Sequence, residues 1–236
     1  MNPLLKAFDD ALRKTNWIII ICILSFILLW CWDQIEPLLI RPYLGPIESD
    51  SIYAILAFSG ENLFKGRVWT LVTALFLHGD PLHLVGNMIF LFVFGNTLEN
   101  ELKSSKTLSA YFIGGALSFL FSTFFYEPEI PMIGASAAIF TLTAIVMLLK
   151  PLKFSILFMM PQGLVAIIYF LYNAAAVYLG VGGQVAYIAH VIGFAIGIPF
   201  AIAWSKEWKK NLLITLGLLI IYFLLQVLLI PEVAGL

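Results

Sequence analysis

Gly134-Ala135-Ser136-Ala137 and Ala189-His190 each lie in an apolar run of the kind that crosses a lipid bilayer. The two polar side chains they carry decide how the rest of the chain is read. A serine or histidine inside a membrane span is costly unless it has a partner or a task. If the two spans pack together, Ser136 and His190 become a nucleophile and its base. The expected activity is then hydrolysis within the plane of the membrane.

Composition sets the solvent. The chain has 236 residues, 61% hydrophobic and only 11% charged, against roughly 25% charged in soluble domains. Its mean hydropathy is +0.99. No soluble core of this size hides so much apolar surface, so the solvent is lipid. Only helices and closed barrels satisfy their backbone there. The apolar runs are continuous rather than alternating, which argues against a barrel. The expected fold is an all-α membrane protein, one helical bundle over 1–236. Net charge is −1 with no basic block, so no nucleic-acid partner is expected. Cys22 and Cys31 share the first apolar run. Nine residues apart on a helix puts them roughly 13 Å apart on opposite faces, too far to pair. Trp30-Cys31-Trp32 follows that run where a small-residue cleavage site would stand, so it is read as a retained helix.

Seven spans are expected, at 16–32, 82–102, 107–126, 136–149, 162–179, 184–204 and 210–230. Residues 1–15 form an N-terminal segment. Residues 16–204 hold six spans, with a long amphipathic outer loop at 33–81, and 210–230 adds one more helix. Within the loop the apolar cluster at 52–58 is too short to span and is expected at the interface. Residues 153–160 read as a short extended piece before Pro161. The fourth span is shorter than the ~20 residues a crossing needs, which sets Ser136 at the floor of a wet cavity.

Charge orients the spans. Lys6, Arg13, Lys14, Lys103, Lys106, Lys150, Lys153, Lys206, Lys209 and Lys210 fall on the side of the N-terminus, against Arg41, Lys65 and Arg67 on the other. Ten against three is a positive-inside bias, so the N-terminus is expected in the cytoplasm of a cell-membrane protein. Asp33, Glu36, Glu48, Asp50, Glu61, Asp80, Glu127 and Glu129 fall outside. Trp17, Trp30, Trp32, Trp69, Trp204 and Trp208 mostly stand at span ends, as interface anchors do.

With this orientation the unusual polar residues agree in depth. His83 and Asn87 lie at the outer end of the second span, and Ser136 at that of the fourth. His190 is about two turns into the sixth, ~9 Å deep at 1.5 Å per residue. A serine hydroxyl is a poor nucleophile until a base takes its proton. Attack on a peptide carbonyl makes an oxyanion, for which the Ser136 amide and the side chains of His83 and Asn87 are candidate donors. His83 and Asn87 are four apart and share one helix face. No Asp or Glu lies at that depth, so a Ser–His dyad is expected rather than a charge-stabilised triad. Gly193 and Gly197 follow His190 on one stripe and read as helix-packing residues. His78 is read as structural, and Glu99 as pairing with a neighbouring helix or loop.

Several motifs in order resemble the rhomboid family of intramembrane serine proteases, from about Trp69 to Pro199. His83-Leu84-Val85-Gly86-Asn87 resembles the family's His-x-x-x-Asn, and Phe94-Gly95-Asn96-Thr97-Leu98-Glu99 its Phe-Gly-x-x-Leu-Glu. Gly134-Ala135-Ser136-Ala137 is similar to its Gly-x-Ser-x. The run from Ala189 to Gly197 is similar to its Ala-His-x-x-Gly-x-x-x-Gly. The resemblance implies a rhomboid-like six-helix transmembrane bundle, here with one additional C-terminal transmembrane helix, around a cavity open to the outside. It implies Ser136 as nucleophile, His190 as general base, and His83, Asn87 and the Ser136 amide as oxyanion donors. It implies transmembrane protein substrates with small residues at the cleaved position, and neither metal nor cofactor. Three positions depart from the pattern. Ala137 stands where glycine is frequent, and Arg67 precedes Trp69 where Trp-Arg is frequent. Phe140 stands where a tyrosine is frequent, able to stack on His190 but without a hydroxyl.

Other classes fit less well. No His-Glu-x-x-His is present for a metalloprotease. A zinc site on His78, His83 and His190 would use two histidines five apart, a poor facing pair. A transporter would show intramembrane charges or repeated broken helices. Serine and histidine can also serve as interhelical glue. The alternative is therefore a non-catalytic rhomboid-like protein that binds transmembrane segments.

Overall fold

A computed structural model describes residues 13–35, 50–181 and 186–229. Its long helices are α1 (Lys14–Ile35), α5 (Pro81–Phe90), α6 (Asn96–Ser122), α7 (Ser136–Leu149), α8 (Gln162–Tyr178), α9 (Tyr187–Trp204) and α10 (Trp208–Leu229). Three short helices, α2 (Asp50–Leu56), α3 (Gly60–Phe64) and α4 (Thr70–Thr73), lie between α1 and α5. A hairpin of β1 (Phe154–Ser155) and β2 (Met160–Pro161) precedes α8, where an extended piece was expected. The protein is an all-α membrane protein. α1, the stretch Pro81–Ser122, α9 and α10 are long and apolar enough to cross a bilayer; α7 and α8 are shorter apolar helices. The expected start of the sixth span at 184 and end of the seventh at 230 lie outside the described residues.

Local signals set the ends. Asp80 caps α5 by accepting from the His83 amide at 2.8 Å, with Pro81 in the first turn. A π-helical turn at Leu91–Gly95 joins α5 to α6, a feature hydropathy does not reveal. Lys103, at φ +70°, breaks α6 where the sequence places a turn between two spans. The Glu99 carboxylate accepts from the Lys14 amide (2.8 Å), the Thr15 amide (2.9 Å) and hydroxyl (2.7 Å), and Ser104 (2.6 Å). It thereby satisfies orphan N–H groups at the start of α1 and pins that helix to α6.

α7 is the hub. Ala137 through Leu148 are all buried, as befits a helix that is apolar on every side. Glycines bring its neighbours close. A Cβ on Gly114 of α6 would collide with Thr141, and one on Gly193 of α9 with the Ala137 carbonyl. One on Gly197 would come within 2.5 Å of the Thr141 carbonyl oxygen. Thr141 Oγ1 donates to the Gly193 carbonyl at 2.9 Å, which bonds the two helices at their closest approach. At the far end, Asn211 of α10 donates to the Leu148 and Leu149 carbonyls (2.9 and 3.1 Å). The C-terminal helix thus supplies donors to carbonyls that the end of α7 leaves unpaired. Leu24 and Leu28 on α1, and Ile220, Leu224 and Leu228 on α10, point outward as a lipid-facing surface does.

Candidate active site

The packing that makes α7 and α9 touch also sets the site. Gly193 meets Ala137 and Gly197 meets Thr141, so the two helices run in the same direction, in register. Ser136 is one residue before Ala137, and His190 is one turn before Gly193. They therefore face each other at the same end of the pair. The His190 Nε2 to Ser136 Oγ distance is 2.7 Å. His190 is buried, while Ser136 and His83 are half-buried.

Beyond Ser136, the imidazole is held on one face and at its far edge. Phe140 stacks on it at 4.6 Å between centroids and 11° between planes. Tyr169 stacks in turn on Phe140 at 4.5 Å. Asn173 of α8 approaches from the far edge, its Oδ1 2.7 Å from His190 Nδ1. Among the described residues, neither Ser136 nor His190 is hydrogen-bonded to a carboxylate. Asn173 is not among the residues read from the sequence, where only Asp and Glu are weighed as a third member at that depth. The signal was present: Asn173 lies six residues inside the expected outer end of the fifth span, ~9 Å at 1.5 Å per residue. That is the depth inferred for His190.

The segment before the serine is fixed by backbone bonds. Met132 and Phe58 exchange N–H···O bonds at 2.6 and 3.1 Å, and the Gly134 amide donates to the Ala74 carbonyl at 2.9 Å. Gly134 adopts φ +114°, a conformation that only glycine takes without strain. A Cβ there would lie 2.8 Å from His83 Nε2 and 3.7 Å from Ser136 Oγ. Gly134 therefore leaves the room in which the His83 imidazole sits beside the serine. The Gly79 amide donates a long bond to His83 Nδ1 (3.5 Å), which leaves the ring hydrogen on Nε2, at the edge against Gly134. Asn87, one turn on, donates one amide hydrogen to the His83 carbonyl at 2.8 Å and carries a second. Ser136 is the first residue of α7, so its amide is one of those with no acceptor inside the helix.

The segment between α1 and α5 supports this wall. Arg67 donates to Asn62 Oδ1 at 3.0 Å, and Asn62 holds the Ala54 and Ala57 carbonyls at 2.8 Å. His78, read from the sequence as structural, lies in the core of this wall. It is fully buried, meets the His83 ring edge-on at 5.1 Å between centroids, and neither ring nitrogen has a protein hydrogen bond of good geometry. Burial, with His83 adding to it, pushes its pKa down to about 4, so the ring packs in neutral form. Among the described residues no three metal-ligating side chains converge. Tyr169 also lines an apolar groove of about 330 Å³ with Phe90, Phe158, Met160, Tyr172 and Tyr222. From that groove the stacked rings of Tyr169 and Phe140 lead to His190.

Such an arrangement can move a proton from a hydroxyl to an imidazole and surround a nascent oxyanion with N–H donors. Comparison with known proteins gives the family. The family model for the rhomboid domain matches residues 65–207. RHOMBOID-like protein 7 of Arabidopsis thaliana is 27% identical over 176 residues, 72% of this chain and 55% of that protein. RHOMBOID-like protein 6, mitochondrial, of the same plant is 32% identical over 105 residues, 44% of this chain and 34% of that protein. Rhomboid protease GlpG of Haemophilus influenzae is 23% identical over 168 residues, 69% of this chain and 83% of that protein. The chain thus spans about a third to a half of the two plant relatives. A domain match covering more than half its length means that the chain belongs to the rhomboid family.

Proposed function

We propose that this chain is an intramembrane serine protease. The observation that carries the reading is the 2.7 Å contact between Ser136 Oγ and His190 Nε2 inside a membrane bundle. Ser136 Oγ attacks a substrate carbonyl as its proton passes to His190 Nε2. The oxyanion is met by the Ser136 amide, His83 Nε2–H and the second amide hydrogen of Asn87. His190 then gives its proton to the leaving amine, and water releases the acyl group by the same steps in reverse. The chemistry assigned to these side chains is complete without metal or cofactor.

The substrates of this reading are membrane proteins with a single transmembrane segment that unwinds near the outer surface. The aromatic groove lined by Tyr169 offers such a helix an apolar face two stacked rings away from His190. The cleaved position takes small side chains. In this reading 16–204 is the six-span core, 210–230 the additional helix, and 1–15 a cytoplasmic segment. The site opens to the extracytoplasmic side of the cell membrane, following the ten-to-three bias of basic residues.

The test is cleavage of a single-span reporter in proteoliposomes. The wild type should cut it, and Ser136→Ala and His190→Ala should each lose cleavage while keeping the wild-type melting profile. A wild type that binds the reporter without cutting it would turn the assignment to a non-catalytic rhomboid-like binder.

A further inference from the structure

Asn173 is a neutral amide buried in the membrane interior, at 1% exposure. A buried amide is costly unless its hydrogen-bonding groups are satisfied. Its two ends are committed in a way that settles its orientation. Nδ2 donates to the Tyr169 carbonyl at 2.8 Å, and a carbonyl can only accept. Turning the amide over would set two oxygens against each other. Oδ1 therefore faces His190 Nδ1, at 2.7 Å. An amide oxygen also only accepts, so Nδ1 must carry the ring hydrogen. The neutral ring then has its lone pair on Nε2, 2.7 Å from the Ser136 hydroxyl. The direction of every bond in the chain Ser136–His190–Asn173–Tyr169 follows from one backbone carbonyl.

We propose that Asn173 is the positioning residue of this site, locking His190 in the tautomer that accepts the Ser136 proton. This rests on the hydrolase reading above and adds a third member where the sequence suggested two. The proton balance is simple. Ser136 Oγ–H passes its hydrogen to Nε2, Nδ1 keeps its own, and Asn173 neither gains nor loses one. Oδ1 accepts from the neutral ring and from the imidazolium alike, and more strongly from the latter. An asparagine in this role works only if its NH₂ is turned away from the ring, since an NH₂ facing Nδ1 enforces the wrong tautomer. The Tyr169 carbonyl supplies that restraint. A carboxylate in the same place would add a charge to a buried apolar setting, at a desolvation cost that the amide avoids.

The experiment combines spectroscopy with kinetics on the full chain. In ¹⁵N-histidine-labelled protein in detergent, His190 is assigned by its loss in His190→Gln. The expected signature is a protonated Nδ1 and a bare Nε2 in the wild type, replaced by mixed tautomers in Asn173→Leu. With a single-span reporter, Asn173→Leu and Asn173→Ala should lower kcat on the order of 10- to 100-fold with little change in KM. Asn173→Asp should recover part of the loss as the neutral acid, which accepts from Nδ1 through one oxygen and donates its O–H to the Tyr169 carbonyl through the other. The proposal is overturned by an Nε2–H tautomer in the wild type, or by a folded Asn173→Leu or Asn173→Ala with wild-type kcat. Failure of the hydrolase reading looks different. The wild type would then cut no reporter, and the tautomer measurement would still decide the part assigned to Asn173.

Discussion

Gly134→Ala perturbs the oxyanion side of the site without removing a polar group. Gly134 stands at φ +114°, where an L side chain carries strain of about 1–3 kcal/mol. Its new Cβ would lie 2.8 Å from His83 Nε2 and 2.9 Å from Cε1, whereas comfortable contact needs about 3.5–4.0 Å. Either the imidazole withdraws by about 0.7–1.2 Å or the segment leading into Ser136 shifts by as much. A hydrogen bond stretched by that amount is no longer one. Losing one oxyanion donor costs about 10²–10³ in kcat, roughly 2.7–4 kcal/mol. Gly134→Ala should therefore lower kcat by about that factor, with a stability loss no larger than the backbone strain. The assay is steady-state cleavage of a fluorogenic single-span reporter in proteoliposomes, run as a double-mutant cycle with His83→Ala. His83→Ala alone should cost a similar factor, and in its background Gly134→Ala should cost little more, because the colliding ring is gone. An equal loss in both backgrounds would refute the reasoning, since the methyl group would then act by another route.

Further outcomes can be checked on the same preparations. Gly193→Ala pushes a methyl group onto the Ala137 carbonyl, which has no rotamer to yield. It should destabilise by about 1–3 kcal/mol and, by parting α7 from α9, reduce kcat about 100-fold, read by thermal melting and reporter cleavage. Glu99→Gln keeps the shape but loses one of two accepting oxygens that hold Lys14, Thr15 and Ser104. It should lower the melting temperature while the folded fraction keeps wild-type kcat. His78 gives a pH signature. Its folded pKa is about 4, below the ~6.5 of an unfolded histidine. The unfolded chain therefore binds the extra proton between those values. The neutral ring's contribution is intact above about pH 6.5 and declines by up to about 1.4 kcal/mol per unit as pH falls toward 4. His78→Phe should flatten that part of the stability profile; an unchanged slope would mean the ring is not buried neutral.

How far the sequence speaks for the fold and site depends on the kind of signal. Span positions were legible because hydropathy is additive along the chain: α7, both ends of α8 and the start of α10 lie within two residues of the expected positions. The turn at Lys103 was legible from the polar break between two apolar runs. The π-turn at Leu91–Gly95 was not, because a one-residue change in hydrogen-bond register leaves hydropathy untouched. Polar residues were legible where a motif drew the eye, as at Ser136 and His190. Asn173 carries no motif and no charge, and only its depth in the fifth span, matching that of His190, marks it. The burial of His78 and the bonds from Asn211 to the end of α7 depend on how distant segments meet. No local pattern announces them.

The central claim is that Ser136 is a nucleophile activated by His190, and covalent labelling addresses it most directly. Wild-type protein in detergent, treated with a fluorophosphonate and digested for mass spectrometry, should carry one adduct, on Ser136, and His190→Ala should carry none. No adduct on Ser136 in folded wild-type protein, or equal labelling in His190→Ala, would contradict the account.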